Sequence, residues 1–198
     1  EFRRVLFRSA NQIAVKMHTE PGEEIIGADT CHIFIAEAGG PAIHSGVMSR
    51  PIESPTGIFS GDDVRKTFRH VKGTHFPITR LLMVENTTNM GGGLAWSQAQ
   101  LNSVMEAADS LELKTHLDGA RLFNAVVKTG LSAKTIAEPF DSVTVCLSKG
   151  LGCPVGAVLA FDRKLYPKVR RLKQVFGGAL RQSGILAAAE IGRASCRE

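Results

Sequence analysis

Long apolar runs are missing from this sequence. No stretch approaches the roughly eighteen consecutive apolar residues of a transmembrane helix, so no membrane partner is expected. Cysteine is sparse and badly placed for structural roles. Cys31, Cys146, Cys153 and Cys196 show no C-x-x-C spacing, which offers neither a zinc site nor a disulfide framework. A reducing cytoplasm is the expected location, and no metal is expected. Internal repeats, low-complexity segments and an interdomain linker are also lacking. What is present, 43% hydrophobic and 22% charged residues in 198, is the balance of a globular protein, either one large domain or part of a bigger enzyme.

The net charge of +5 raises the question of nucleic acid. The two ends answer it. Leu6-Phe7-Arg8-Ser9 can be encoded by CTCTTCCGATCT, and the reverse complement of that element, one base out of frame, encodes Glu190 to Ala194. The same short DNA element in opposite orientations matches a common sequencing adapter, whose longer versions also give Glu1–Ser9 and Ile191–Glu198. Residues 1–9 and 191–198 are therefore read as translated adapter and set apart from the fold. They carry five arginines and two glutamates, so the remaining charge is +2 and no nucleic-acid partner is expected.

Between the tails, short apolar runs alternate with helical patterns. Strands are expected at Glu24 to Asp29, Arg80 to Glu85, Leu113 to Leu117, Asp141 to Leu147 and Val155 to Phe161. Helices are expected from Asp62 to His70, from a Ser97 cap to about Ser110, and from Leu122 onward. An exposed basic helix is expected over Arg163 to Gln174 and a buried, Ala-rich one over Arg181 to Ala189. The alternation predicts an α/β layered sheet with parallel pairs. In such sheets functional groups collect beyond the carboxyl ends of strands.

Two residues at such ends stand out. Asp118 closes a strand and precedes Gly119-Ala120-Arg121; it suits either a ligand-facing acid or the N-cap of the next helix. Lys149 leaves an apolar strand into the Gly-rich turn Ser148-Lys149-Gly150-Leu151-Gly152, where burial would lower its pKa and favour the neutral, carbonyl-attacking amine. Alone, an ordinary loop lysine is the simpler reading. Together, an acid and a lysine thirty-one residues apart, about one strand–helix–strand unit, suit pyridoxal phosphate (PLP), which needs a lysine for its aldehyde and an acid for its ring nitrogen. His32, past another strand, could stack on such a ring and move a proton. His116 is read as structural, and His18, His44, His70 and His75 join no constellation. Gly91-Gly92-Gly93 and Gly177-Gly178 could let backbone approach phosphate, and Arg181 could meet a phosphate or carboxylate or be a surface charge.

The segments His116-Leu117-Asp118-Gly119-Ala120-Arg121-Leu122-Phe123-Asn124-Ala125, Cys146 to Gly156 and Gly177 to Ala189 closely resemble the low-specificity L-threonine aldolases. So do Asp29 to Phe34 and Glu85-Asn86-Thr87-Thr88-Asn89, and the resemblance runs in order through residues 10–189. It implies a three-layer α/β sandwich with a mixed, mostly parallel sheet, the large domain of the aspartate-aminotransferase type, here incomplete. It implies a lyase that cleaves L-threonine or L-allo-threonine to glycine and acetaldehyde, assembled as a homodimer or homotetramer. Lys149 is then the cofactor-bearing lysine, Asp118 the ring-nitrogen partner, and His32 the ring-stacking group and a base. Arg121 is the carboxylate-side arginine, and Arg181 a phosphate-side arginine acting across a subunit interface.

Two departures follow from the same resemblance. The family carries a histidine near the substrate hydroxyl where this chain has Thr88. The chain also begins just after the family's Ser-Gly-Thr phosphate turn and lacks the small C-terminal domain, so residues 10–190 are expected to be a partial, inactive piece. Another PLP-dependent lyase acting on β-hydroxy or β-substituted amino acids is the alternative, and a catalytically silent binding homologue is a third reading.

Overall fold

A computed structural model of the chain describes residues 3–5, 9–71 and 73–195. Seven strands form one sheet: β1 (Arg3–Val5), β2 (Glu24–Ala28), β3 (Met48–Ile52), β4 (Thr79–Glu85), β5 (Lys114–Gly119), β6 (Ser142–Cys146) and β7 (Ala157–Phe161). Their spatial order is β1-β7-β6-β5-β4-β2-β3. The five strands from β3 through β6 are parallel, while β7 runs antiparallel to both β6 and β1. The expected mixed, mostly parallel α/β sheet is present.

Central strands are buried throughout, as both covered faces of a parallel sheet require. All five residues of β2 are buried, and six of the seven of β4. Helix α1 (Ala10–His18) lies across β4, β5, β6 and β7 on one face. There Ile13, Ala14 and Met17 pack with Leu159 of β7 and with Val169 of α7 (Tyr166–Val175). Residues of the opposite register, such as Leu117, face a larger cluster that includes Trp96, Leu101, Val104, Ile136 and Phe140. This second layer holds α3 (Gly61–Thr67), α4 (Gln98–Ser110), α5 (Leu122–Thr129) and α6 (Ala133–Ala137).

Local sequence explains several boundaries. Helices α3 and α4 each start with a reciprocal capping box, Ser60 with Asp63 and Ser97 with Gln100. The basic segment opens with a short 3-10 turn at Arg163–Leu165, and Pro167 sits at the start of α7, where its missing N–H is harmless. Short helix α2 (His32–Ile35) follows β2, and a π-helical turn (Pro41–Ser45) leads to β3.

One expectation is corrected. The Ala-rich helix α8 begins at Gly184, not Arg181, and is not buried: Ile185 is 87% exposed. No described element covers that face, so its apolar composition alone did not determine its burial. Arg3–Val5 and the end of α8 (Gly184–Ser195) both extend into segments set apart above as tails.

Candidate active site

The strand ends assemble what the sequence separates. Parallel register places Glu85 of β4 beside Asp118 of β5, and Asp118 beside Thr144 of β6, five residues before Lys149. His32 arrives from the far side of β4, on α2, and its backbone N–H donates to Glu85 Oε2 at 2.9 Å. Asp118, Lys149 and His32 therefore share the carboxyl edge of the sheet, the expected location for a ligand.

Asp118 is 6% exposed and joins no salt bridge among the described residues. Burial pushes its pKa up, the Asn11 amide opposes that push, and nearby Glu37 reinforces it. Asn11 Nδ2 donates to Asp118 Oδ2 at 2.7 Å, and the Ala120 N–H donates to Oδ1 at 3.0 Å. The N-cap of α5 is Arg121, so the helix-capping reading of Asp118 gives way. A buried acid with both oxygens held and no cation in contact fits the protonated ring nitrogen of PLP.

His32 is half-exposed, and its Nδ1 lies 2.9 Å from Glu37 Oε1. That hydrogen bond, against the opposing effect of burial, raises the imidazole pKa. In the neutral ring, with Nδ1–H donating to Glu37, Nε2 carries the lone pair. The ligand atoms of His32, Glu37 and Asp118 lie within 4.8 Å of one another. Glu37 and Asn11 were missed in the sequence, although Asn11-Gln12 is a polar pair inside the apolar run of α1, a legible anomaly. Glu85 is likewise pushed up by burial, then held down by hydrogen bonds from Asn89 and His32.

Lys149 corrects an expectation. It is exposed among the described residues, where burial was expected. Its turn is nevertheless shaped: Leu147 N–H bonds Gly156 O, Cys153 N–H bonds Leu147 O, and Gly152 N–H bonds Lys149 O. A Cβ on Gly150 would lie 2.4 Å from Asn124 Oδ1, so a side chain there would push the Asn124 amide aside. The Cys146 thiol is pushed up by burial and partly drawn back by the neighbouring Lys149 ammonium.

The remaining expected groups are more scattered. Arg121 is half-buried beside Asp118, at the start of α5. Arg181 is exposed, and no described hydrogen bond or salt bridge ties it to the cluster. Thr88 is 1% exposed, its hydroxyl has no hydrogen-bond partner among the described residues, and Gly57 and Gly91 press on it. Gly91 has a packing role: a Cβ there would fall 1.9 Å from Thr56 O.

With this arrangement in view, the comparisons are decisive at the family level. A sequence model of the beta-eliminating lyase family matches residues 7–196. The chain belongs to that family. Among its relatives, the low specificity L-threonine aldolase of Escherichia coli K12 is 40% identical over 183 residues, covering 92% of this chain and 54% of that protein. The probable low-specificity L-threonine aldolase 2 of Arabidopsis thaliana is 40% identical, covering 91% and 52%. The chain thus spans about half the length of the curated relatives it matches. The Leishmania major threonine aldolase superposes with a TM-score of 0.83 at 22% identity, covering 100% of this chain and 57% of that one. The Thermus thermophilus aspartate aminotransferase gives 0.69 at 13% identity, covering 94% and 47%. These two likenesses show that the beta-eliminating lyase chain has the aminotransferase fold.

Proposed function

We propose that the full-length protein is a PLP-dependent carbon–carbon lyase that cleaves L-threonine or L-allo-threonine to glycine and acetaldehyde. The observation that carries the reading is the pairing of Asp118 with the Lys149 turn on adjacent strand ends, in a chain about 40% identical to proteins named threonine aldolases.

Bound PLP would supply an electron-withdrawing ring that takes up the electron pair of the breaking Cα–Cβ bond. Lys149 Nζ would hold the cofactor through its aldehyde carbon. Asp118, with both oxygens held, would keep a proton on the ring nitrogen. His32 would stack on the ring, and in its neutral form Nε2 is the atom able to accept the proton of the substrate β-hydroxyl. Arg121 takes the substrate carboxylate, and Arg181 takes the phosphate from across a subunit interface in a homodimer or homotetramer. Thr88 stands near the substrate hydroxyl, where the threonine aldolases carry histidine, leaving His32 as the base. The working location is the cytoplasm; among the described residues no helix is long and apolar enough to cross a membrane.

The test is product analysis of the full-length protein with L-threonine, L-allo-threonine and phenylserine. Glycine release from threonine or its allo form is expected, and glycine from none of the three defeats the aldolase reading. The family match and the Thr88 departure favour one second reading, a PLP-dependent lyase acting on other β-hydroxy or β-substituted amino acids. Keto-acid release from β-substituted substrates, without glycine, would select it.

A further inference from the structure

A line of side-chain hydrogen bonds leaves the site through the core. Asn11 Nδ2 donates to Asp118 Oδ2 at 2.7 Å and to Glu37 Oε1 at 2.9 Å, one N–H for each acid. Because both amide hydrogens face carboxylates, Asn11 Oδ1 must be the atom that meets His116 Nε2 at 3.3 Å, so that nitrogen carries the proton. His116 Nδ1 then accepts from Ser142 Oγ at 2.8 Å, and Ser142 Oγ accepts from His18 Nε2 at 2.9 Å. Thr144 Oγ1 also lies 3.3 Å from His116 Nε2 and is a second acceptor for its proton, so each N–H of this line meets an acceptor. Burial, the first cause in each case, lowers the pKa of His116 to about 3 and that of His18 to about 4, so both rings are neutral and can hold these single tautomers.

We propose that Asn11 is a positioning residue that keeps Asp118 and Glu37 side by side as anions, one facing the cofactor's ring cation and the other orienting His32, with His116 locking its amide. Two neighbouring buried carboxylates do not both ionise unless donors offset their repulsion. A flipped Asn11 would turn its carbonyl on both acids, and the His116 Nε2–H opposes that flip. Among the described residues, the charged or titratable groups facing Asp118 are Glu85 at the end of β4, Cys31 before α2, His32 and Glu37 around α2, Cys146 at the end of β6, Lys149 past β6, and neutral His116 on its own strand. Among the described residues Asn11 alone donates to both acids. Asp118 and His116 are two residues apart on β5, so strand alternation points both toward α1.

The proposal rests on the PLP reading, and one experiment separates the two. Apo full-length protein is titrated with PLP and with its 1-deaza analogue, in which carbon replaces the ring nitrogen and no cation can form. Asn11→Leu is expected to weaken PLP binding about tenfold or more, the scale of a lost charge-assisted hydrogen bond, while changing analogue binding less than about twofold. Equal losses for both ligands would show that Asn11 only packs the helix. Absence of PLP binding by the unsubstituted protein would sink the cofactor reading and this proposal with it. Should Asn11→Leu lose its native circular dichroism, Glu37→Gln serves instead. With its anionic neighbour gone, Asp118 ionises at lower pH, so the acid limb of PLP binding by the apo-protein shifts downward; an unmoved or raised limb overturns the coupling.

Discussion

Asp118 and Lys149 reach the same edge of the sheet in opposite conditions. Asp118 is buried, bonded through both oxygens, and backed by a chain of polar side chains that extends to α1. Lys149 is exposed, on a turn whose backbone is closed but whose side chain the described residues leave uncovered. The acid half is rigid before any ligand arrives. The lysine half stands open on the described side of the site.

The sharpest challenge to that contrast is substitution of both members in the full-length enzyme. Lys149→Ala is expected to abolish borohydride fixation of PLP and to cut glycine release by about a thousandfold or more, with stability changed by less than about 0.5 kcal/mol because the side chain is exposed. Persistent borohydride fixation would overturn the assignment. Asp118→Asn should cost about a hundredfold in turnover. Its stability should fall by about 1–3 kcal/mol, since the new NH2 would face one of the two N–H donors that now meet carboxylate oxygens.

Acid tests the polar chain behind Asp118. His116 and His18 have folded pKa values near 3 and 4, below the ordinary 6.5, so the unfolded chain binds their protons first. Their contribution is fully present above pH 6.5 and is lost as pH falls toward 4, by up to about 1.4 kcal/mol per pH unit for each ring. Asp118 and Glu85, with raised values, work in the opposite sense, contributing less as pH rises through their folded pKa. A urea midpoint that falls between pH 7 and pH 5 is expected, and the fall should shrink in His116→Gln. Thr88→His, which restores the residue type of the threonine aldolases, should destabilise by about 1–3 kcal/mol because Gly57 and Gly91 wall the pocket. Smallest of all, Ile185→Lys on exposed α8 should move the midpoint of the 198-residue chain by less than about 0.5 kcal/mol.

The sequence made the two strand-end residues legible because alternating apolar runs end where Asp118 and Lys149 begin. It also showed the Ser97 cap, whose side-chain chemistry is local. Strand β3 was not visible: Met48–Ile52 contains Pro51 and is mostly exposed, an edge strand without the apolar pattern of a central one. The partners of the site were hidden for another reason. Asn11 and Glu37 act through contacts 107 and 26 residues away, and no local pattern encodes such pairing. The Ala-rich composition of α8 was misleading because composition reports what a helix could bury, not what lies against it.

The separation between Asn11 and Asp118 also bears on how the protein is made. Asn11 of helix α1 is synthesised before its partner on β5, which follows 107 residues later. At ordinary ribosomal speeds of roughly 5–20 residues per second, Asn11 waits on the order of five to twenty seconds before the acid it serves exists. Meanwhile α1 offers its buried apolar face, Ile13, Ala14 and Met17, to whatever is near. Its docking spans a long loop and so belongs to the slow, non-local part of folding. The acid of the site should therefore mature late, and a nascent-chain chaperone that covers α1 would protect the future active site before it has formed.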